Sequence, residues 1–161
     1  MSLVLARIDD RLIHGQVVVG WARHTQADCI LVANDAVAAD PMQKALLPLA
    51  VPQGMEVGIY RVKEAADQLK AGVHASRRCI LLFASPQDAA AYLAAGGELK
   101  ELNLGGLRFA PGKEQFRKSV SLGPEERAAL KKLENAGLEV YFQMVPGDPR
   151  EGLRDVVRDA G

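Results

Sequence analysis

The chain predicts an α/β protein: an open, mainly parallel twisted sheet with helices on both faces and a small antiparallel edge or hairpin. Three observations carry that prediction. Short β-rich apolar runs alternate with segments of helical period along the whole chain, the pattern of successive βαβ units. Two of the runs, Asp28-Cys29-Ile30-Leu31-Val32-Ala33 and Cys79-Ile80-Leu81-Leu82-Phe83-Ala84, are almost continuously apolar, as strands covered on both faces must be. Helix-start signals follow several of the runs, Ser85-Pro86 most clearly. With 161 residues, no internal repeat and no linker-like stretch, residues 1–161 are expected to form one domain with a sizeable core.

In chain order, Leu3-Val4-Leu5 reads as the first strand. Leu12 to about His24 reads as a helix that turns Val17, Val18, Trp21 and Ala22 inward. Asp28 to Ala33 is the second strand, and Asn34-Asp35 suits a turn or cap. Asp40-Pro41 opens a helix to about Leu47, which Pro48 and Pro52 end. Met55 to Tyr60 is β-rich, and Val62, Ala65, Ala66 and Leu69 have helical spacing before Gly72. Arg78 to Ala84 is another buried strand, and the helix opened by Ser85-Pro86 stops at Gly96-Gly97. Glu101 to Leu104 is a short strand, after which Gly105-Gly106 is expected to turn the chain tightly. Phe109 to Ser121, with Pro111-Gly112, reads as a hairpin-like excursion. Pro124 opens a helix with acids first and Lys131-Lys132 later, an order that suits the helix dipole. Glu139 to Val145 is a last strand, and Leu153, Val156 and Val157 mark a short terminal helix.

Composition narrows the function. Formal net charge is zero and the basic residues form no block, so no nucleic-acid partner is expected. The N-terminus reaches charge too soon for a signal peptide. The apolar runs fall far short of the roughly 20 residues that a membrane-spanning helix needs. Cys29 and Cys79 each open a predicted buried strand and read as core residues of a cytosolic protein, not as a disulfide or metal pair. His74, in a polar loop, is assigned no role.

The chemistry concentrates in Arg7-Ile8-Asp9-Asp10-Arg11-Leu12-Ile13-His14-Gly15-Gln16-Val17. The first run reads as a strand and the second as a helix, so the charged residues between them fall in the loop at the strand's carboxyl end. That is where open α/β sheets bind ligands. Neutral imidazole is a good nucleophile, and an unperturbed pKa of about 6.5 leaves much of it neutral in cells. A phosphoryl group in transfer spreads charge over three oxygens and asks the protein mainly for cationic support. Arg11 offers a planar, permanently charged fork, and the N–H groups of the following helix add donors. That cationic setting is expected to disfavour imidazolium. Gly15 lets backbone approach a bulky phosphate. Asp9 or Asp10 would hold the non-reacting ring nitrogen and fix the tautomer, the choice between them being open. No metal site is expected, because there is no second histidine at helical spacing and Arg11 repels a cation. Asn34 and Asp35 are expected to support this loop if the first two strands lie near one another.

The string from Arg7 to Val17 resembles the signature of the mannose/fructose/sorbose-type enzyme IIB components of the bacterial phosphoenolpyruvate-dependent sugar phosphotransferase system. Val32-Ala33-Asn34-Asp35, Leu102-Asn103-Leu104-Gly105-Gly106 (Leu104 in place of the usual Val) and Gln143-Met144-Val145-Pro146 resemble further segments of that family. The resemblance implies that His14 accepts phosphate from a IIA component and passes it to a sugar entering through the membrane IIC/IID complex. It also implies that Arg11 faces the phosphate, with Asp9, Asp10, Gly15, Gln16, Asn34 and Asp35 in supporting roles. No cofactor is expected. The implied place is cytoplasmic, peripherally associated with the transporter. The transported sugar and any homo-oligomer are left open, as is a purely regulatory phosphoprotein of the same fold. An aspartate-phosphorylated receiver is disfavoured because the third strand ends in Tyr60-Arg61. A nucleotide-binding module is disfavoured because no Gly-x-Gly-x-x-Gly or Gly-Lys-Ser/Thr loop is present.

Overall fold

The computed structural model describes residues 3–158, the side chain of Gln16 excepted. Seven strands form one sheet in the order β3-β2-β4-β1-β5-β8-β9. They are β1 (Leu3–Asp9), β2 (Cys29–Ala33), β3 (Glu56–Tyr60), β4 (Cys79–Phe83), β5 (Glu101–Gly106), β8 (Glu139–Phe142) and β9 (Glu151–Gly152). All neighbours pair parallel except β9, which runs antiparallel on β8 at one edge. β6 (Glu114–Arg117) and β7 (Val120–Leu122) form the separate antiparallel hairpin. The expected architecture, with its hairpin and antiparallel edge, is therefore observed.

Two apolar layers sandwich the sheet. One packs Leu5, Ile30, Val32, Ile80 and Leu82 against Val18, Trp21 and Ala22 of α1 (Gly15–Thr25). The other packs the alternate strand residues, such as Ile8, Leu31, Leu81 and Leu104, against α4 (Val62–Lys70), α5 (Pro86–Ala94) and α6 (Pro124–Asn135). The period-2 alternation of strand side chains sets this division. Cys29 and Cys79 are buried, are not joined as a disulfide, and lie in register with one another on β2 and β4.

Helix ends follow their sequence signals. Ser85 Oγ accepts from Asp88 N at 3.2 Å at the start of α5. Asp40 caps α3 (Pro41–Leu46), a 3-10 turn carries the chain from Leu47 to Ala50, and Gly72 follows α4 at a positive φ of 77°. Asn34 caps a four-residue helix, α2 (Asp35–Ala38), where the sequence suggested only a turn. A last short helix, α7, spans Leu153–Val156.

Two boundaries differ from expectation in ways that matter. β1 does not end near Leu5: it runs on through Arg7 and Asp9, which therefore lie inside the sheet and not in a loop. The turn expected at Gly105-Gly106 is likewise strand, and neither glycine has positive φ. Their lack of a side chain serves close approach instead. A Cβ on Gly105 would fall inside the Arg7 guanidinium, and one on Gly106 would lie 2.9 Å from Asp9 Oδ1.

Candidate functional site

Leu5, Arg7 and Asp9 point to the α1 side of the sheet, because every second residue of a strand shares a face. A charged pair there has left water and must be matched on every side. Arg7 donates from Nη1 to Asn103 Oδ1 at 2.6 Å and to the Gln143 carbonyl at 3.1 Å, and from Nη2 to Asp9 Oδ2 at 3.2 Å. Its guanidinium carbon also lies 5.6 Å from the centre of the Trp21 ring, and Trp21 Nε1 donates to the Met144 carbonyl at 3.1 Å. Asn103 Nδ2 donates to the same Gln143 carbonyl at 3.0 Å. Strands β1, β5 and the end of β8 thus converge on one guanidinium.

Asp9 carries that order outward. Its Oδ2 meets His14 Nε2 at 2.9 Å, and its Oδ1 accepts from the backbone N–H of Arg11 at 3.1 Å, with Arg11 Nε at 3.5 Å. Burial opposes ionisation of Asp9. The hydrogen bonds from His14 and the Arg11 N–H, with the Arg7 charge, outweigh it and hold the carboxyl below the usual aspartate range. An ionised Asp9 can only accept, so Nε2 carries a proton, and in the neutral form of the ring the lone pair is then on Nδ1. The described residues offer no hydrogen bond to Nδ1. Of the two aspartates, Asp9 is the one within hydrogen-bond distance of the imidazole. Asp10 accepts instead from Arg108, at 2.9 Å from its N–H and 3.3 Å from Nε, tying the loop to the segment after β5.

The loop is short and strained where it must turn. Leu12 has a φ of 56° and Gly15 a φ of 34°. Leu12 and Ile13 are buried and anchor the turn, so His14 becomes the N-cap of α1 in extended conformation. The helix therefore begins at Gly15, three residues later than the sequence suggested. Its start is unlike the others: the His14 side chain makes no capping bond and the first turn holds no acid. At α4, α5 and α6, by contrast, Glu64, Ser85 and Glu126 bond to the starting turn. Among the described residues no side chain caps the first N–H groups of α1, which lie beside an imidazole that is 22 % exposed. Below the ring, between Arg7, Leu12, Val17, Trp21 and Leu82, only about 10 Å³ is free, so an incoming group meets the ring from outside.

Arg11 is 40 % exposed on the same rim. A groove of about 290 Å³ adjoins it, lined by Asp10, Arg11, Arg108, Phe109, Lys118 and Met144. A cleft of about 610 Å³ along α6 and α7 contains none of these residues. Gly15 has open space where a Cβ would be, and the side chain of Gln16 lies outside the described residues. Asn34 and Asp35 are not part of the cluster, because β4 stands between β1 and β2. Asn34 Nδ2 donates to Asp88 at 2.8 Å, and Asp35 Oδ1 accepts from Val62 N at 2.9 Å, so the pair secures α5 and α4. Sequence reasoning missed Arg7, Asn103 and Gln143 as site residues. The usable signal was Arg7 itself, a charge spaced two from Leu5 within a run that otherwise reads as buried strand.

The profile of the family described as "PTS system sorbose subfamily IIB component" matches residues 3–161. The chain is 34 % identical over 159 residues to the sorbose-specific EIIB component of Klebsiella pneumoniae, covering 99 % of this chain and 97 % of that one. It is 36 % identical over 157 residues to the mannose-specific EIIAB component of Escherichia coli K12, covering 98 % of this chain and 49 % of that longer one. The crystal structure of the IIBSor domain of the Klebsiella sorbose permease superposes with a TM-score of 0.92 at 34 % identity, covering 100 % of this chain and 99 % of that one.

Proposed function

The chain belongs to the sorbose subfamily of phosphotransferase-system IIB components, and from that premise we propose that His14 is its phosphoryl acceptor and donor, reacting at Nδ1. The observation that carries the reading is the Asp9–His14 hydrogen bond at the uncapped start of α1. With Nε2–H held by Asp9, the Nδ1 lone pair attacks phosphorus as the bond to the donor breaks. The three phosphoryl oxygens then take up the free N–H groups of α1 and the Arg11 guanidinium. Asp9 balances the positive charge that the ring acquires. In the second step a sugar hydroxyl attacks phosphorus, the P–N bond breaks with its electron pair returning to Nδ1, and the hydroxyl proton passes to solvent. Arg11 and backbone donors supply the stabilising charge, and an open rim suits a group that has to leave again.

The donor in this reading is a phosphorylated IIA component and the acceptor a sugar presented by a IIC/IID membrane complex. The mannose-specific relative carries a name joining IIA to IIB, which fits a IIA partner. The rim of Arg11, Arg108 and Lys118 around the exposed Phe109 suits docking of an anionic phosphoprotein face. Residues 1–161 would work as one IIB unit at the membrane surface, since no described helix is long and apolar enough to cross.

The test is reconstitution with phosphoenolpyruvate, the general carrier proteins and a IIA component. Label is expected on the wild type and not on His14→Ala; equal label on both refutes the site.

A further inference from the structure

At the opposite end of the strands, three side chains of unlike chemistry meet. Glu56, Cys29 and Cys79 begin β3, β2 and β4 and share one register row across the sheet. His74, on the turn after α4, folds over that row and is buried. Its Nε2 sits 3.0 Å from the Tyr60 hydroxyl. The Tyr60 ring can reach it because it lies back over Gly58, where a Cβ would come within 2.8 Å. Nδ1 is then aimed at the row. It is buried without a hydrogen bond, its nearest carboxylate oxygen being Glu56 Oε2 at 3.6 Å. The Cys29 sulfur, a Glu56 carboxylate oxygen and a His74 ring nitrogen lie within 4.8 Å of one another.

We propose that Cys29, Glu56 and His74 form a binding site for a zinc-type divalent cation, which staples the turn after α4 to strands β2 and β3. Thiolate, imidazole and carboxylate are the ligand types that Zn²⁺ takes, and a fourth position remains for water. The Tyr60 hydroxyl at Nε2 is the outer partner that orients a ligating imidazole. The neighbouring Arg77 weighs against a cation, but it is half-exposed. Its Nε lies 3.5 Å from Glu56 Oε2, and a carboxylate oxygen has more than one lone pair, so that contact leaves the carboxylate able to take a metal as well. The hydrogen bond with Cys79, then burial, push the Cys29 thiol up, so the sulfur is inert as a free nucleophile. On binding, the thiol proton passes to solvent as the sulfur–metal bond forms. Cys29 is a core residue as the sequence reading had it, and the proposal adds a ligand role to it and to His74.

Titrating the full chain with Co²⁺ tests this, because thiolate ligation gives a near-ultraviolet charge-transfer band that nitrogen and oxygen ligands do not. One Co²⁺ per chain with that band, bleached by Zn²⁺, is expected, and His14→Ala should keep it. Cys29→Ser should abolish it. Glu56→Gln, at a partly exposed position that the fold tolerates, and Tyr60→Phe should weaken Co²⁺ affinity by about 10- to 100-fold. No band in the wild type, a band that survives Cys29→Ser, unchanged affinity in Glu56→Gln, or loss in His14→Ala would each overturn the site.

Discussion

Asp9 serves two masters with one carboxylate: a buried cation behind it and the His14 imidazole in front. Replacing it with asparagine keeps the shape and removes the charge that both need. Asp9→Asn is expected to slow labelling of His14 by about 100-fold or more, because the ring is no longer held as the Nε2–H tautomer. Single-turnover labelling with phospho-IIA reads this, and a rate near wild type would remove Asp9 from the mechanism. Arg7→Met should act differently, leaving Asp9 buried without its main counter-charge. A loss of about 3–5 kcal/mol in unfolding free energy is expected from urea denaturation. At this scale the sequence was half legible. That His14, Arg11 and one aspartate would come together could be read from residue types alone. Asn103 and Gln143 could not, because their role depends on which strands lie beside β1, and that order is not written locally.

The elements that meet at the site are β1, β5 and α1, and each shows what pattern reading can and cannot reach. The Ser85, Asp40 and Gly72 signals placed their helix ends within a residue or two, since caps are local chemistry. The end of β1 was misjudged because charges normally mark loops, whereas here they are paired inside the sheet. Gly105 was misjudged for a related reason: glycine more often marks a turn than the space another strand's side chain needs. Gly105→Ala should therefore destabilise by about 1–3 kcal/mol through overpacking on Arg7 and lower the labelling rate as well. A thermal midpoint equal to wild type would contradict the fit between β5 and Arg7. In the segment after β5, Phe109→Ala should raise the KM for phospho-IIA with little change in kcat. Labelling by a small phosphoryl donor should be unaffected, which separates docking from chemistry.

Across the whole molecule, parallel pairing and the two-layer covering were readable from alternation and continuous apolar runs. Strand order was not, and it decides that Asn34 and Asp35 stand apart from His14. The pH dependence of stability belongs to this scale, because the Asp9 network joins three strands. Its carboxyl is held below the usual range in the folded chain, so the folded state binds fewer protons than the unfolded one as acid is added. The stabilisation is complete above the ordinary aspartate value of about 3.9 and is lost as pH falls below it toward the folded value. Urea midpoints should drop more steeply below about pH 4 in the wild type than in Asp9→Asn; parallel curves would contradict this.

The Gln143 carbonyl that receives Arg7 lies 136 residues downstream of it. A growing chain on the ribosome thus carries its histidine from the start but lacks the backing that sets the ring until the end of β8 has emerged. If His14 takes up phosphate as proposed, a chain cut before Gln143 is expected to label poorly although it contains every residue of the opening signature.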